Sequence, residues 1–259
     1  MPNEFDVVVL AAGQGKRMHQ AFPGVPKVLV PLVGKPMLLH VLDAIEAAHI
    51  ARQVTIVVGP SVEEKVRTAL RGRTVRYALQ SEPRGTGHAV LCARPVVAGA
   101  QNILVLYGDQ PLFSPQTIQT LAQRHAQGEA MITMLTVPLQ DFLDWRSSFA
   151  DFSRVLRDAE GHFTRSVEVK DASASVLRTT EVNPSLYCFR AEWLWEHLPL
   201  VGCTNAMGEY YLPDILQIAI EHGEHIDTVP VRDPREALGA NTPEQLAVLE
   251  HTYSDMQKH

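Results

Sequence analysis

The segment Leu10-Ala11-Ala12-Gly13-Gln14-Gly15-Lys16-Arg17-Met18 puts two cations inside a glycine-rich turn, directly after the apolar run Phe5–Leu10. Glycines in such a turn let backbone N–H groups approach a phosphate without a Cβ in the way. The spacing is not the dinucleotide fingerprint, because Gly13 and Gly15 are followed by Met18, and it is not GxxxxGK[ST] either. A GxG alone is most simply a tight turn. Lys16 and Arg17, with Pro26-Lys27-Val28-Leu29 ten residues on, point instead to a polyphosphate site. Between Val7 and Leu42 there is no acidic residue, although the whole chain has a formal net charge of −6. An acidic protein with a locally positive opening segment suits a small polyanion and not a nucleic acid.

Asp109 is a second candidate, just beyond the apolar run Asn102–Tyr107. A carboxylate at that strand end, among phosphate-binding groups, suits Mg²⁺, which prefers oxygen and keeps part of its water shell. The alternative is a cap for the turn before Pro111. Lys27 and Arg17 are the candidates for stabilising charge. Of the eleven histidines, His88 follows Gly85-Thr86-Gly87 and reads as a helix-start residue rather than a catalytic one.

These residues need a frame. Phe5–Leu10, Gln53–Val58, Val75–Leu79 and Asn102–Tyr107 are short apolar or β-branched runs, as doubly covered strands are. Pro36–Ala48, Val62–Leu70 and His88–Arg94 alternate with them at helical spacing. The alternation predicts an α/β fold: a Rossmann-like, mostly parallel sheet flanked by helices, with ligands beyond the strands' carboxyl ends. After Val137, the segments Arg154–Leu156, His162–Lys170 and Glu181–Arg190 read as antiparallel strands of a smaller mixed β lobe facing the first sheet across a cleft. A helix is expected after Gly208, with Pro213 near its first turn and Gly223 as its stop. Thr242, Pro243 and Gln245 match the N-cap, N1 and N3 positions of a capping box.

Six segments, in order, resemble the sugar-nucleotide pyrophosphorylase family. They are LAAGQGKRM with PKVLVPLVGKPMLLHVL, then Gln80–Ala89, Tyr107–Leu112, Glu168–Ala172, Asn205–Asp214 and Gly239-Ala240-Asn241. The closer likeness is to the uridylyltransferase half of the bacterial bifunctional enzymes that make UDP-N-acetylglucosamine. The resemblance implies one domain over residues 1–259: a nucleotide-binding half near 5–137, a sugar-binding half near 138–240, and a C-terminal helix at 242–258. It implies Mg²⁺ as cofactor, held by Asp109 and Asn241, although Asn241 stands beside the capping box and has a turn role open to it. Leu10, Ala11, Ala12, Gly13 and Gly15 would bind the nucleotide, and Gln80, Gly85 and Thr86 would recognise its uracil. A turn opening a helix is the alternative for Gly85. Glu168, Asn183 and Ser153 would line the sugar site, and Arg17 and Lys27 would be catalytic.

The implied substrates are UTP and N-acetylglucosamine 1-phosphate, with another sugar phosphate, dTTP, or a weakly active nucleotide-binding module as rivals. Two departures bear on the sugar. The family's Gly-Tyr-Gly-Arg is Asp151-Phe152-Ser153-Arg154 here, and its Asn-Thr-Gly is Asn183-Pro184-Ser185. No segment carries the hexapeptide repeats of the acetyltransferase half, so no trimer of that type is expected. Cys92, Cys188 and Cys203 form no CxxC pair, no apolar run is long enough for a membrane span, and the chain shows no leader. The expectation is a cytoplasmic enzyme with neither nucleic-acid nor membrane partners.

Overall fold

All six residues of β1 (Phe5–Leu10) are buried in the computed structural model, which describes residues 4–13, 15–97, 99–205 and 207–258. Gln14 and Ala206, which belong to two of the motif segments, lie outside the described residues. Val7 and Val9 enter one apolar layer, Val8 and Leu10 the other. That is the period-two alternation of a strand covered on both faces.

The chain continues through a short hairpin, β2 (Pro31–Leu32) and β3 (Lys35–Pro36), into α1 (Met37–Ala48), β4 (Ala51–Val58) and α2 (Glu63–Ala69). Next come β5 (Arg76–Leu79), α3 (Thr86–Ala93), β6 (Asn102–Tyr107), α4 (Pro115–Gln127) and β7 (Ile132–Pro138). The second half holds β8 (Ser153–Arg157), β9 (Phe163–Val167), β10 (Glu181–Asn183), β11 (Tyr187–Arg190) and α5 (Ala191–His197). It ends with α6 (Ile215–Glu221), β12 (Ile226–Pro230) and α7 (Pro243–Met256). Leu42, Val66, Leu121 and Leu249 bring α1, α2, α4 and α7 onto one face of the sheet. Val90, Leu194 and Leu216 bring α3, α5 and α6 onto the other. Each such side chain, fully buried, contributes roughly 1.5–3 kcal/mol.

Among the described residues, ten strands form one sheet in the order β5-β4-β1-β6-β11-β7-β10-β8-β9, with β12 on β7. β5, β4, β1 and β6 are parallel neighbours. β11 is antiparallel to both β6 and β7, so β7 and its parallel partner β12 run with β6 again. The mostly parallel sheet flanked by helices is therefore the observed fold class. The antiparallel strands β10, β8 and β9 are joined edge to edge onto β7 through β10. This smaller β portion prolongs the sheet instead of standing opposite it.

The reason lies in Glu181–Arg190, which runs beside β7 as two strands and not one: β10 on Val137 and Pro138, β11 on Ile132–Met134. Pro184 has no N–H to give a ladder, and Ser185 has φ 61°. The Ser185 N–H donates to Asn183 Oδ1 at 2.8 Å, closing a side-chain turn. Its side chain sits beside those of Tyr107 and Tyr187. A left-handed φ costs a non-glycine residue about 1–2 kcal/mol. Both Ser185→Ala and Ser185→Gly lose the hydroxyl, but only glycine loses the strain. Denaturant unfolding should therefore find the glycine variant more stable than the alanine one by roughly 0.5–1 kcal/mol, the reverse of the usual order. Alanine at or above glycine would show that the turn is unstrained.

Candidate active site

Lys27 begins a single 3-10 turn, Lys27–Leu29, behind Pro26. Gly15, with φ 60°, makes room for it: a Cβ on Gly15 would lie 2.6 Å from Lys27 Cβ. Seated there, the Lys27 ammonium forms an ion pair with Asp109 Oδ2 and donates to Asn241 Oδ1 at 2.8 Å. Asp109 lies just past β6, where the Gly108 N–H donates to Leu10 O at 3.0 Å and so ties the ends of β6 and β1 together. Asn241 is brought in by Gly239, whose added Cβ would lie 2.8 Å from the Asp109 backbone oxygen. The capping box then fixes it. Thr242 Oγ1 accepts from Gln245 N at 3.3 Å, while Gln245 Oε1 accepts from Asn241 N at 2.8 Å, one residue before the N-cap.

Two cavities meet at this cluster, and Lys27, Tyr107 and Asp109 line both. The first, about 500 Å³, is lined by Leu10, Ala12, Gly13, Lys16, Gln80, Gly85 and Thr86. Ala11 faces the opposite apolar layer, and its N–H donates to Val57 O at 2.9 Å. Arg17 is exposed on the same turn and lines neither cavity, whereas its neighbour Lys16 lines the first. The Gln80 side-chain amide donates to Gly85 O at 2.9 Å and lies 3.1 Å from His88 Nδ1. Gly85 is the N-cap residue of α3, and Thr86 Oγ1 accepts from Leu212 N at 2.9 Å. The helix-opening role and the cavity-lining role thus coexist.

The second cavity, about 290 Å³, is lined by Ser153, Glu168, Asn183, Pro184 and Asn241. Ser153 donates from Oγ to Glu168 Oε1 at 2.6 Å. Burial raises the Glu168 carboxyl above its ordinary value, and the Ser153 hydrogen bond opposes that rise. Asn183 Nδ2 donates to Tyr187 OH at 2.7 Å and to Ser166 Oγ at 3.1 Å, so both its N–H groups are engaged within the protein.

Several further residues line the cavities, among them Tyr107, Lys16 and Gln110. Tyr107 is the last residue of β6, two positions before Asp109. Lys16, one of the two cations of the glycine turn, lines the first cavity as a polyphosphate site requires. Gln110, a polar residue ahead of Pro111-Leu112, donates to Pro184 O at 2.9 Å and so braces the altered loop.

Among the described residues, no three His, Cys, Asp or Glu side chains gather as a metal site. Asp109 and Asn241 instead offer one carboxylate and one amide oxygen, already drawn around a cation, the Lys27 ammonium. Two hard oxygens, completed by phosphate oxygens and water, are the donor set Mg²⁺ accepts. The residues fit the ion.

Asp214 adds a pH dependence. Burial first, then the negative charges of Glu168 and Asp171, push its carboxyl up from 3.8 to about 6. The folded state therefore binds this proton more tightly than the unfolded chain, and the stability it lends is complete below pH 3.8 and lost as pH rises through about 6. Asp214→Asn should raise stability above pH 7 by on the order of 1–2 kcal/mol, allowing for partial burial. Its advantage should vanish below pH 4. Unfolding midpoints measured from pH 4 to 8 check this, and a constant difference would contradict it.

A family model described as "MobA-like NTP transferase domain" matches residues 7–198. The chain is 42% identical over 248 residues to the "Bifunctional protein GlmU" of Burkholderia thailandensis, covering 96% of this chain and 52% of that protein. The proteins of the same name from Burkholderia orbicola and Burkholderia mallei give the same identity and coverage. The chain thus spans about half the length of the curated relatives it matches.

Proposed function

This chain belongs to the family of MobA-like NTP transferase domains and is a nucleotidyltransferase; on that premise we propose that it is a uridylyltransferase, joining UTP to N-acetylglucosamine 1-phosphate and releasing pyrophosphate. What supports a two-substrate transfer is the Lys27–Asp109–Asn241 cluster at the junction of the two cavities. The attacking sugar phosphate is already an oxyanion near neutral pH, so no general base is required. The residues have only to align two anions and offset their charge. Lys16 and the glycine turn would take the triphosphate, Lys27 would face the reacting phosphorus, and Arg17, exposed on the same turn, would close over the phosphates. Asp109 and Asn241 would hold Mg²⁺, which supplies neutralisation of the phosphate oxygens when bound. Gln80, with Gly85 and Thr86, would meet the uracil edge, and Glu168 and Asn183 the sugar.

No helix among the described residues is long and apolar enough to cross a membrane. We place the reaction in the cytoplasm, with small-molecule partners only. Pyrophosphate release, coupled to phosphate detection, across UTP, dTTP and CTP with several sugar 1-phosphates is the test. A preferred nucleotide other than UTP would overturn the assignment, and no release with any pair would favour a binding module.

The Ser153–Glu168 hydrogen bond favours a second reading, a different hexose 1-phosphate. One Glu168 oxygen already accepts from Ser153 and is less free for a ligand hydroxyl or acetamido N–H. A lost polar contact is worth about 1–3 kcal/mol, a ten- to hundredfold change in preference. Ser153→Gly should therefore shift kcat/KM towards N-acetylglucosamine 1-phosphate over glucose 1-phosphate by that factor. An unchanged ratio would make Ser153 a silent substitution.

A further inference from the structure

Gln80 is anchored by both backbone and side chain. Its N–H donates to Val58 O at 2.8 Å, and its side-chain amide nitrogen lies 2.9 Å from Gly85 O and 3.1 Å from His88 Nδ1. The residue is 5% exposed, yet it lines the first cavity. A carbonyl oxygen only accepts, so the contact with Gly85 O identifies the NH₂ end of the amide and uses one of its two hydrogens. The second points at His88 Nδ1, which must then carry a lone pair. His88 is accordingly the Nε2–H tautomer, with Nε2 facing Cys92 Sγ, 3.8 Å away and one turn along α3.

We infer that His88 is a positioning residue for base selection. By accepting the second N–H of Gln80, it leaves Oε1 as the one amide atom free to meet a base. The site then takes a pyrimidine whose ring N–H donates to Oε1, and disfavours one with a ring lone pair at that place. UTP and CTP differ in this way at N3. The inference rests on the reading above, in which Gln80 meets the base. Without His88, Gly85 O holds the amide alone, the second N–H of this buried side chain loses its partner, and the amide gains freedom to turn.

The test is kcat/KM for UTP and CTP in the natural protein, His88→Ala, His88→Asn and Gln80→Leu. His88→Ala should lower the UTP:CTP ratio about five- to tenfold, through the UTP KM, with kcat within about twofold. His88→Asn, whose Oδ1 supplies an acceptor near the Nδ1 position, should recover most of the ratio. If Gln80→Leu collapses the ratio and His88→Ala leaves it unchanged, the role of His88 is overturned while the base reading stands. If Gln80→Leu also leaves it unchanged, the base reading itself fails. Long-range ¹H–¹⁵N correlation on the unsubstituted, ¹⁵N-labelled protein reads the His88 tautomer directly. Nε2–H is expected, and Nδ1–H would overturn the polarity assigned to Gln80.

Discussion

Replacing Lys27 by alanine is expected to lower kcat about 10²–10³-fold while changing the UTP KM by no more than about threefold. The ammonium sits where the two cavities join, on a side chain only 15% exposed. In so little water a fixed cation acts on developing phosphate charge far more strongly than it would in bulk. That charge grows on the departing pyrophosphate as the bond breaks, so the interaction is stronger in the transition state than with bound UTP. Losing it removes the few kcal/mol typical of one positioned stabilising group. Arginine should rescue poorly. Gly15 leaves room for a lysine stem, and a planar guanidinium does not reproduce a compact charge between Asp109 and Asn241. Steady-state kinetics with Tm as a folding control decide the matter, and a change confined to KM would reduce Lys27 to a binding residue.

The elements that carry the nucleotide half were legible because they are buried on both faces. Phe5–Leu10 and Asn102–Tyr107 have the boundaries their apolar runs indicated. The capping box at Thr242 was legible for a local reason too, since its partners are three residues apart. What depended on distant pairing was not. Nothing in Glu181–Arg190 tells that β7 pairs with both its ends, or that the break at Pro184 carries the chain from one pairing to the next. The helix expected after Gly208 begins only at Ile215, because Leu212–Asp214 first makes a 3-10 turn around Pro213. The hairpin of β2 and β3 is too short to leave a periodicity. In the site, Lys27, Asp109 and Asn241 are 82 and 214 positions apart, and only the family likeness joined them in advance. Which side chains are already engaged was beyond reach: no pattern reveals that both N–H groups of Asn183 bond within the protein, or that Ser153 reaches Glu168.

Asp109→Ala carries the other large effect: turnover should fall on the order of 10³-fold or more, beyond recovery by added Mg²⁺. EDTA should abolish activity in the natural protein, and Mg²⁺ should restore it. The carboxylate is the one charged oxygen in the pair that would hold the ion, since Asn241 contributes a neutral amide. With alanine, the ion would keep only that amide and the substrates' own oxygens, too few fixed ligands to stay in register. The fold should survive, because Lys27 is the one hydrogen-bond partner of this side chain among the described residues. The backbone contacts, Ala240 N to Asp109 O at 3.3 Å and Gly108 N to Leu10 O at 3.0 Å, are untouched by the substitution. Lys27 loses its ion-pair partner but keeps Asn241 at 2.8 Å, so Tm should move by a few degrees at most. Mn²⁺ titration followed by electron paramagnetic resonance, with UTP present, separates the causes. An inactive Asp109→Ala that binds Mn²⁺ as tightly as the natural protein would place the ion elsewhere. Full activity in Asp109→Ala would remove the metal role from this residue altogether.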